Sequence, residues 1–285
     1  MTVTETTTPD RAPAGDPRDE LREWRAEREA TLREPHGWLS LVGLTFLAHR
    51  PTAVPGVPGL WWTDGHAAYV RAGRADGVSL PGAEEVLDGT AEHGVAEGRS
   101  ATVATFLPAD RAGGDVVAVE LLRRTGRLGV RVRDPLAPAR TGFTGVRAYA
   151  YDPGWVLDVP VRWYDATVTA TVGAAQRGLV HEVRLVGEVD VERDGVRATL
   201  RLTEGHAHGT ATLLLSDEAD DVAPWRVLGG VPVDTSGDTV RLDLNRVVNL
   251  PYAFSDFGTC PAPVPGNHAP FAIDAGEKTP GVVRR

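Results

Sequence analysis

Between Val196 and Thr203 the chain alternates strictly, with Val196, Ala198, Leu200 and Leu202 on one parity and Arg197, Thr199, Arg201 and Thr203 on the other. A period of two puts successive side chains on opposite faces of an extended backbone, so this stretch buries one face and wets the other only as a β-strand. Similar runs lie at 116–123, 127–133, 155–162, 166–172, 179–191, 210–215 and 239–244. Short strands separated by turns such as Arg193-Asp194-Gly195 predict a mainly β fold, an antiparallel sandwich or barrel. One helix is expected before it. Asp16 and Pro17 form an N-cap and N1 pair, and Leu21, Trp24 and Leu32 recur near helical spacing over about 17–33. Gly37 opens a helix-to-sheet junction, an apolar run followed by a Pro/Gly stretch at 51–59.

A weak internal echo predicts that the fold is built from two related β units. Strands at 116–123 and 127–133 lead into Asp134 and Ala137-Pro138-Ala139-Arg140, and strands at 196–203 and 210–215 lead into Asp217 and Ala223-Pro224-Trp225-Arg226. Asp134 continues the side of Leu128, Val130 and Val132, and Asp217 that of Ala211, Leu213 and Leu215, so both carboxylates are expected to point inward. A buried carboxylate needs a partner, and the echo nominates Arg140 for Asp134 and Arg226 for Asp217. Such pairs either anchor strand ends or line a pocket.

Composition singles out the last forty or so residues. Of 30 basic residues only Lys278 is a lysine, and the sole Ile (Ile273), the sole Cys (Cys260) and all three Asn (Asn245, Asn249, Asn267) fall in the same window, 245–278. Lysine supplies a compact cation that arginine does not replace, and asparagine a short side chain that both donates and accepts. The window is therefore expected to require particular side chains, either for a polar pocket or for turns in a Pro-rich loop. We expect residues 1–15, rich in Thr, Pro and Ala, to form a disordered tail, and 16–285 to be one β domain whose segment 241–280 closes a pocket.

Other classes lose support. A net charge of −9 disfavours phosphate-backbone and anionic membrane partners, and no run of eighteen apolar residues exists to form a spanning helix. One cysteine forms no internal disulfide, which fits the cytoplasm, and the N-terminus lacks a signal-peptide pattern. No phosphate loop, dinucleotide fingerprint or Gly-x-Ser-x-Gly elbow occurs, so no cofactor is expected. His206 and His208 lack a third ligand, and no metal is expected. Cys260 and His268 lie in a loop whose Cys-Pro is more often packed than reactive.

Three blocks carry a resemblance. They are Trp24-Arg25, Arg28, Leu32 and Pro35-His36-Gly37-Trp38-Leu39-Ser40-Leu41 with Gly43-Leu44; then Arg133-Asp134-Pro135, Arg140, Phe143 and Gly145; and last Leu242-Asp243-Leu244-Asn245, Asn249, Pro251, Ala253-Phe254, Cys260-Pro261, Asn267 and Ala275-Gly276-Glu277-Lys278. Over about 20–278 the chain resembles the bacterial family called domain of unknown function 1684, from which no activity carries over. It departs where the family often has Cys after Pro251, here Tyr252, and a Thr-Ser-Gly-x-x-Thr-Tyr stretch, here Glu218 to Trp225. A function needing a cysteine pair is thereby disfavoured.

The sequence thus leads to a protein that binds a small polar or anionic ligand through Asp134, Arg140, Asp217, Arg226, Asn245, Asn249, Asn267 and Cys260. The alternatives are an enzyme of hydrolase or isomerase type using the same pocket, with Lys278 or Glu277 as activated group, and a structural protein without ligand. The sequence sets no oligomeric state.

Overall fold

The computed structural model describes residues 15–111 and 114–281. The tail expected at 1–15 lies, up to residue 14, outside them. Helix α1 (Pro17–Leu32) begins as anticipated, with the Asp16 carboxylate accepting from the Arg18 N–H and Pro17 in the first turn. Six strands follow: β1 (Leu41–Phe46), β2 (Thr52–Val54), β3 (Val57–Thr63), β4 (Ala68–Ala72), β5 (Gly89–His93) and β6 (Ser100–Phe106). The hairpin β7 (Val117–Arg124) and β8 (Arg127–Arg133) leads to a one-turn helix α2 (Pro138–Thr141). The chain then forms β9 (Val156–Gly173), β10 (Val180–Arg193), β11 (Val196–Glu204), β12 (Thr210–Asp217), β13 (Arg226–Pro232) and β14 (Thr239–Asp243). Two short strands close it, β15 (Val248–Asn249) and β16 (His268–Ala269).

These elements make two β units, each with its own core. In the first, sheets ordered β1-β8-β7-β6 and β2-β3-β4-β5 enclose Trp61, Val70, Val119, Leu121 and Val130. In the second, one long sheet runs β14-β9-β10-β11-β12-β13-β15, with β16 added in parallel beside β12. Its inner face carries Leu200, Leu202, Leu213, Leu215 and Leu242, the parity the alternation assigned to the core. A third cluster of Leu32, Leu39, Ala223, Ala253 and Phe254 joins α1 to the C-terminal segment. The mainly β, antiparallel, sandwich-like fold with an N-terminal helix is thus the one expected.

Two features differ from expectation. The runs at 155–162 and 166–172 are one strand, because β9 inserts extra residues as a bulge: Trp163 faces Gly187 while Val168 faces Leu185. The strands β1 to β6 are harder to read: they are short, and glycine or proline falls within β1, β3 and β5. At Gly59 φ is +80°, and a Cβ would lie 2.8 Å from the Arg71 carbonyl oxygen of the neighbouring strand, a position only glycine occupies without strain.

Candidate functional site

The nominated pair Asp217–Arg226 forms, and it is sealed. The carboxylate and guanidinium meet at 2.7 Å with side chains 1% and 0% exposed. Arg226 also donates to the carbonyls of Ala275 (2.7 Å), Ile273 (2.9 Å) and Glu277 (3.3 Å), which ties the segment 273–277 to β13. Glu277 is buried and accepts from the Asn249 N–H (2.7 Å) and from Arg28 of α1 through both Nε and Nη2. Arg28 reaches the Asn249 carbonyl as well, at 2.8 Å. Two cations and two anions here neutralise one another, so the cluster is a charge-balanced seam between helix, sheet and tail. Gly276, at φ +76°, lets that tail pass Val247, whose carbonyl oxygen would lie 2.2 Å from a Cβ. Lys278 holds its ammonium 4.3 Å from the centre of the Tyr149 ring, a cation–π contact.

The pair expected at Asp134 does not form with Arg140. Asp134 is held instead by Arg111, from the loop after β6, through two bonds of 2.7 Å. Burial alone would raise the Asp134 pKa, but Arg111 and the Leu136 N–H hold it below the usual carboxylate range. Arg140 sits on α2, which aims it back at α1, and it binds the carbonyls of Arg33 (2.8 Å), Glu34 (3.2 Å) and Pro135 (2.6 Å). A cation at the carboxyl end of a helix is favoured there.

Two asparagines act as inserted peptide groups. Asn245 accepts from the Asp152 N–H and donates to the Asp152 carbonyl, both at 3.0 Å. Asn267 does the same with Arg201, at 2.9 and 2.8 Å, and its second N–H reaches the Leu214 carbonyl at 2.9 Å. Asn249 donates to the Lys278 carbonyl at 2.8 Å, while its Oδ1 is buried without a partner among the described residues.

The expected convergence of the tail's rare side chains on one cavity is therefore not found. A groove of about 1520 Å³ does exist, walled by α1, the outer face of β10 to β13 and the loop 259–264. Of the nominated residues only Asn249, Cys260 and Asn267 line it, whereas Asp134, Arg140, Asp217, Arg226, Asn245, Glu277 and Lys278 do not.

Its chemistry comes from residues not nominated: Trp38, Arg124, Arg131 and His181 beside Cys260. Arg131 is 1% exposed and pairs with Glu120 at 2.9 and 3.1 Å, and the same carboxylate takes Arg133 at 2.8 Å. Both guanidinium groups lie over Trp38, at 5.3 and 4.9 Å. Arg124 is half-buried and, among the described residues, donates only to carbonyls, those of Arg99 (2.8 Å) and Arg123 (2.7 Å). Burial holds its pKa below the usual arginine range, and the charge of Arg131 adds to this; Glu120 and Glu97 act the other way without pairing with it. Glu97 is spent on the Thr125 and Gly126 N–H groups, at 2.7 and 2.9 Å. Three cations thus face two carboxylates in a partly dehydrated corner of an acidic protein.

His181 places Nε2 2.6 Å from the Thr259 carbonyl, and burial pushes its pKa down. The carbonyl only accepts, so Nε2 carries the proton and Nδ1 keeps a lone pair. Burial raises the Cys260 thiol to about 11, against the pull of Tyr252 and its own backbone N–H and of Arg131 and Arg124. Cys260 is a neutral thiol at neutral pH, not a nucleophile.

One signal for this corner was in the sequence. Trp38 and Arg133 belong to the resemblance blocks, and Glu120 interrupts an apolar run, β7, that is buried on both faces. Arg131 lies on the polar parity of β8 and reads as solvent-facing until a second layer covers it.

Fold and site together describe a mainly β protein of two β units with a groove that holds Arg124 and Arg131 in one corner. Residues 141–278 match the family described as "Protein of unknown function (DUF1684)", so the resemblance holds over the whole third block and part of the second. The solution NMR structure of an uncharacterized protein of Haloarcula marismortui aligns with 49% of this chain and 79% of its own, at 20% identity and a TM-score of 0.41. No curated protein matches.

Proposed function

We propose that the groove binds a small anionic ligand in the corner formed by Trp38, Arg124, Arg131 and His181. The observation that carries this reading is Arg124, a half-buried guanidinium without a carboxylate partner among the described residues, placed beside a second arginine. A desolvated cation left uncompensated is costly, and an arriving carboxylate or phosphate supplies the missing charge with bidentate geometry. The Nδ1 lone pair of His181 suits an anion that also carries a hydroxyl.

A single thiol supports a reducing compartment such as the cytoplasm. No helix among the described residues is long and apolar enough to cross a membrane.

Calorimetric titration with inorganic phosphate and with short hydroxy-dicarboxylates, alongside native mass spectrometry of freshly purified protein, tests the reading. Binding of one of these probes, or a co-purified anion, that weakens at least about tenfold in Arg124→Gln supports it. Equal affinity in Arg124→Gln, or no anion bound in either experiment, overturns it.

A further inference from the structure

Strand β9 leaves most of one edge open. β14 pairs with it only over Val156–Pro160, and the Val161 N–H reaches the Asp238 carbonyl. At its far end the Ala262 N–H donates to the Gly173 carbonyl at 2.8 Å, and Pro261 bridges to Ala174. Among the described residues no strand pairs with 162–172 on the side away from β10.

The Gly173 contact sets the phase of that edge. Alternate residues of an antiparallel strand turn N–H and C=O to the same side, so Thr171 and Thr169 present theirs outward too. The bulge ends at Val168, and from there to Val172 the strand lies in regular register against Leu185 to His181. Val168 is 51% exposed, more than any other large hydrophobic among the described residues. Between the bulge and the 261–262 contact, residues 168–172 carry no lysine, no proline and no charged side chain.

Read in either direction, residues 168–172 are Val-Thr-Ala-Thr-Val. We propose that this edge pairs antiparallel with the same edge of a second copy, about a two-fold axis at Ala170, so that one sheet runs through the dimer. A two-fold interface must be self-complementary, and this palindrome is. It sets each Thr169 against Thr171 of the second copy with both backbones facing, and each Val168 against Val172. Thr–Thr and Val–Val cross-strand pairs are favourable, and the segment brings no like charges opposite each other.

Sedimentation across a concentration range, with amide hydrogen exchange on the same samples, tests this. Expected are a monomer–dimer equilibrium and exchange at Thr169 and Thr171 that slows about tenfold or more as the dimer fills. Thr169→Pro removes an outward N–H and no bond to β10, so it should sediment as a monomer with unchanged circular dichroism. A chain that stays monomeric at the highest concentration reached overturns the proposal, as does a dimer whose Thr169 and Thr171 amides exchange as fast as in the monomer. If Thr169→Pro does not fold, the wild-type exchange rates decide.

Discussion

The side-chain amide of Asn267 pairs with both backbone groups of Arg201, accepting from its N–H at 2.9 Å and donating to its carbonyl at 2.8 Å. The paired register of β11 and β12 covers only Thr203 with Thr212 and Glu204 with Ala211. Beyond it the strands separate, and the amide bridges the gap by also reaching Leu214. No other short side chain offers one acceptor and two donors in a plane.

Asn267→Ala leaves three backbone groups without their partner. At about 1–3 kcal/mol for each buried group left unmade, partly offset by water entry from the groove, the expected loss is about 2–4 kcal/mol in urea unfolding. Asn267→Asp should be worse at neutral pH, since it turns a carboxylate toward two carbonyls, and should recover partly in acid. A variant as stable as wild type would refute the inserted-peptide role.

Arg226→Met strands the Asp217 carboxylate in a site where its side chain is 1% exposed. Breaking a buried pair from one side costs about 3–5 kcal/mol. The double variant Asp217→Leu/Arg226→Met should be more stable than Arg226→Met alone but below wild type, because the carbonyls of Ile273 and Ala275 lose their donor. Chemical denaturation of the three proteins gives the ordering.

Cys260 makes stability depend on alkaline pH. Its folded pKa, raised by burial from 9.0 to about 11, exceeds the unfolded value, so the folded state keeps its proton longer. The contribution is fully present below pH 9 and is lost as pH rises toward 11, at up to about 1.4 kcal/mol per unit. Cys260→Ala should lack this component of the slope. Alkylation by iodoacetamide should be slow at pH 8 and accelerate only in the same alkaline window.

Arg124→Gln separates binding from stability. Its guanidinium makes two carbonyl bonds but bears an uncompensated, partly desolvated charge, and these opposing effects leave the variant within about 1 kcal/mol of wild type. Thermal unfolding without anion should therefore be nearly unchanged, while the stabilisation by added phosphate expected of wild type should be lost.

Much of the second β unit was legible because its strands bury one face only. Leu200, Leu202, Leu213 and Leu215 occupy the core on the parity that alternation assigned. The Asp217–Arg226 pair was legible for the same reason, since an inward carboxylate at a strand end demands a cation. Asp134 met that demand from Arg111, outside the echo, because which arginine arrives depends on where a loop folds back. The first unit was harder to read. Its strands β1 to β6 are short, β1, β3 and β5 contain glycine or proline, and β7 is buried on both faces.

By itself, then, the sequence determined the class of fold, the helix start at Asp16, the parity of the long strands and the need for unusual side chains between 245 and 278. Those properties follow from local periodicity and the chemistry of single residues. Only the tertiary structure decided that Asn245 and Asn267 complete backbones, that Glu277 locks Arg28, and that Arg124 and Arg131 meet in a groove. A side chain's role depends on which groups, distant in sequence, share its desolvated space, and alternation cannot say what will cover a polar face.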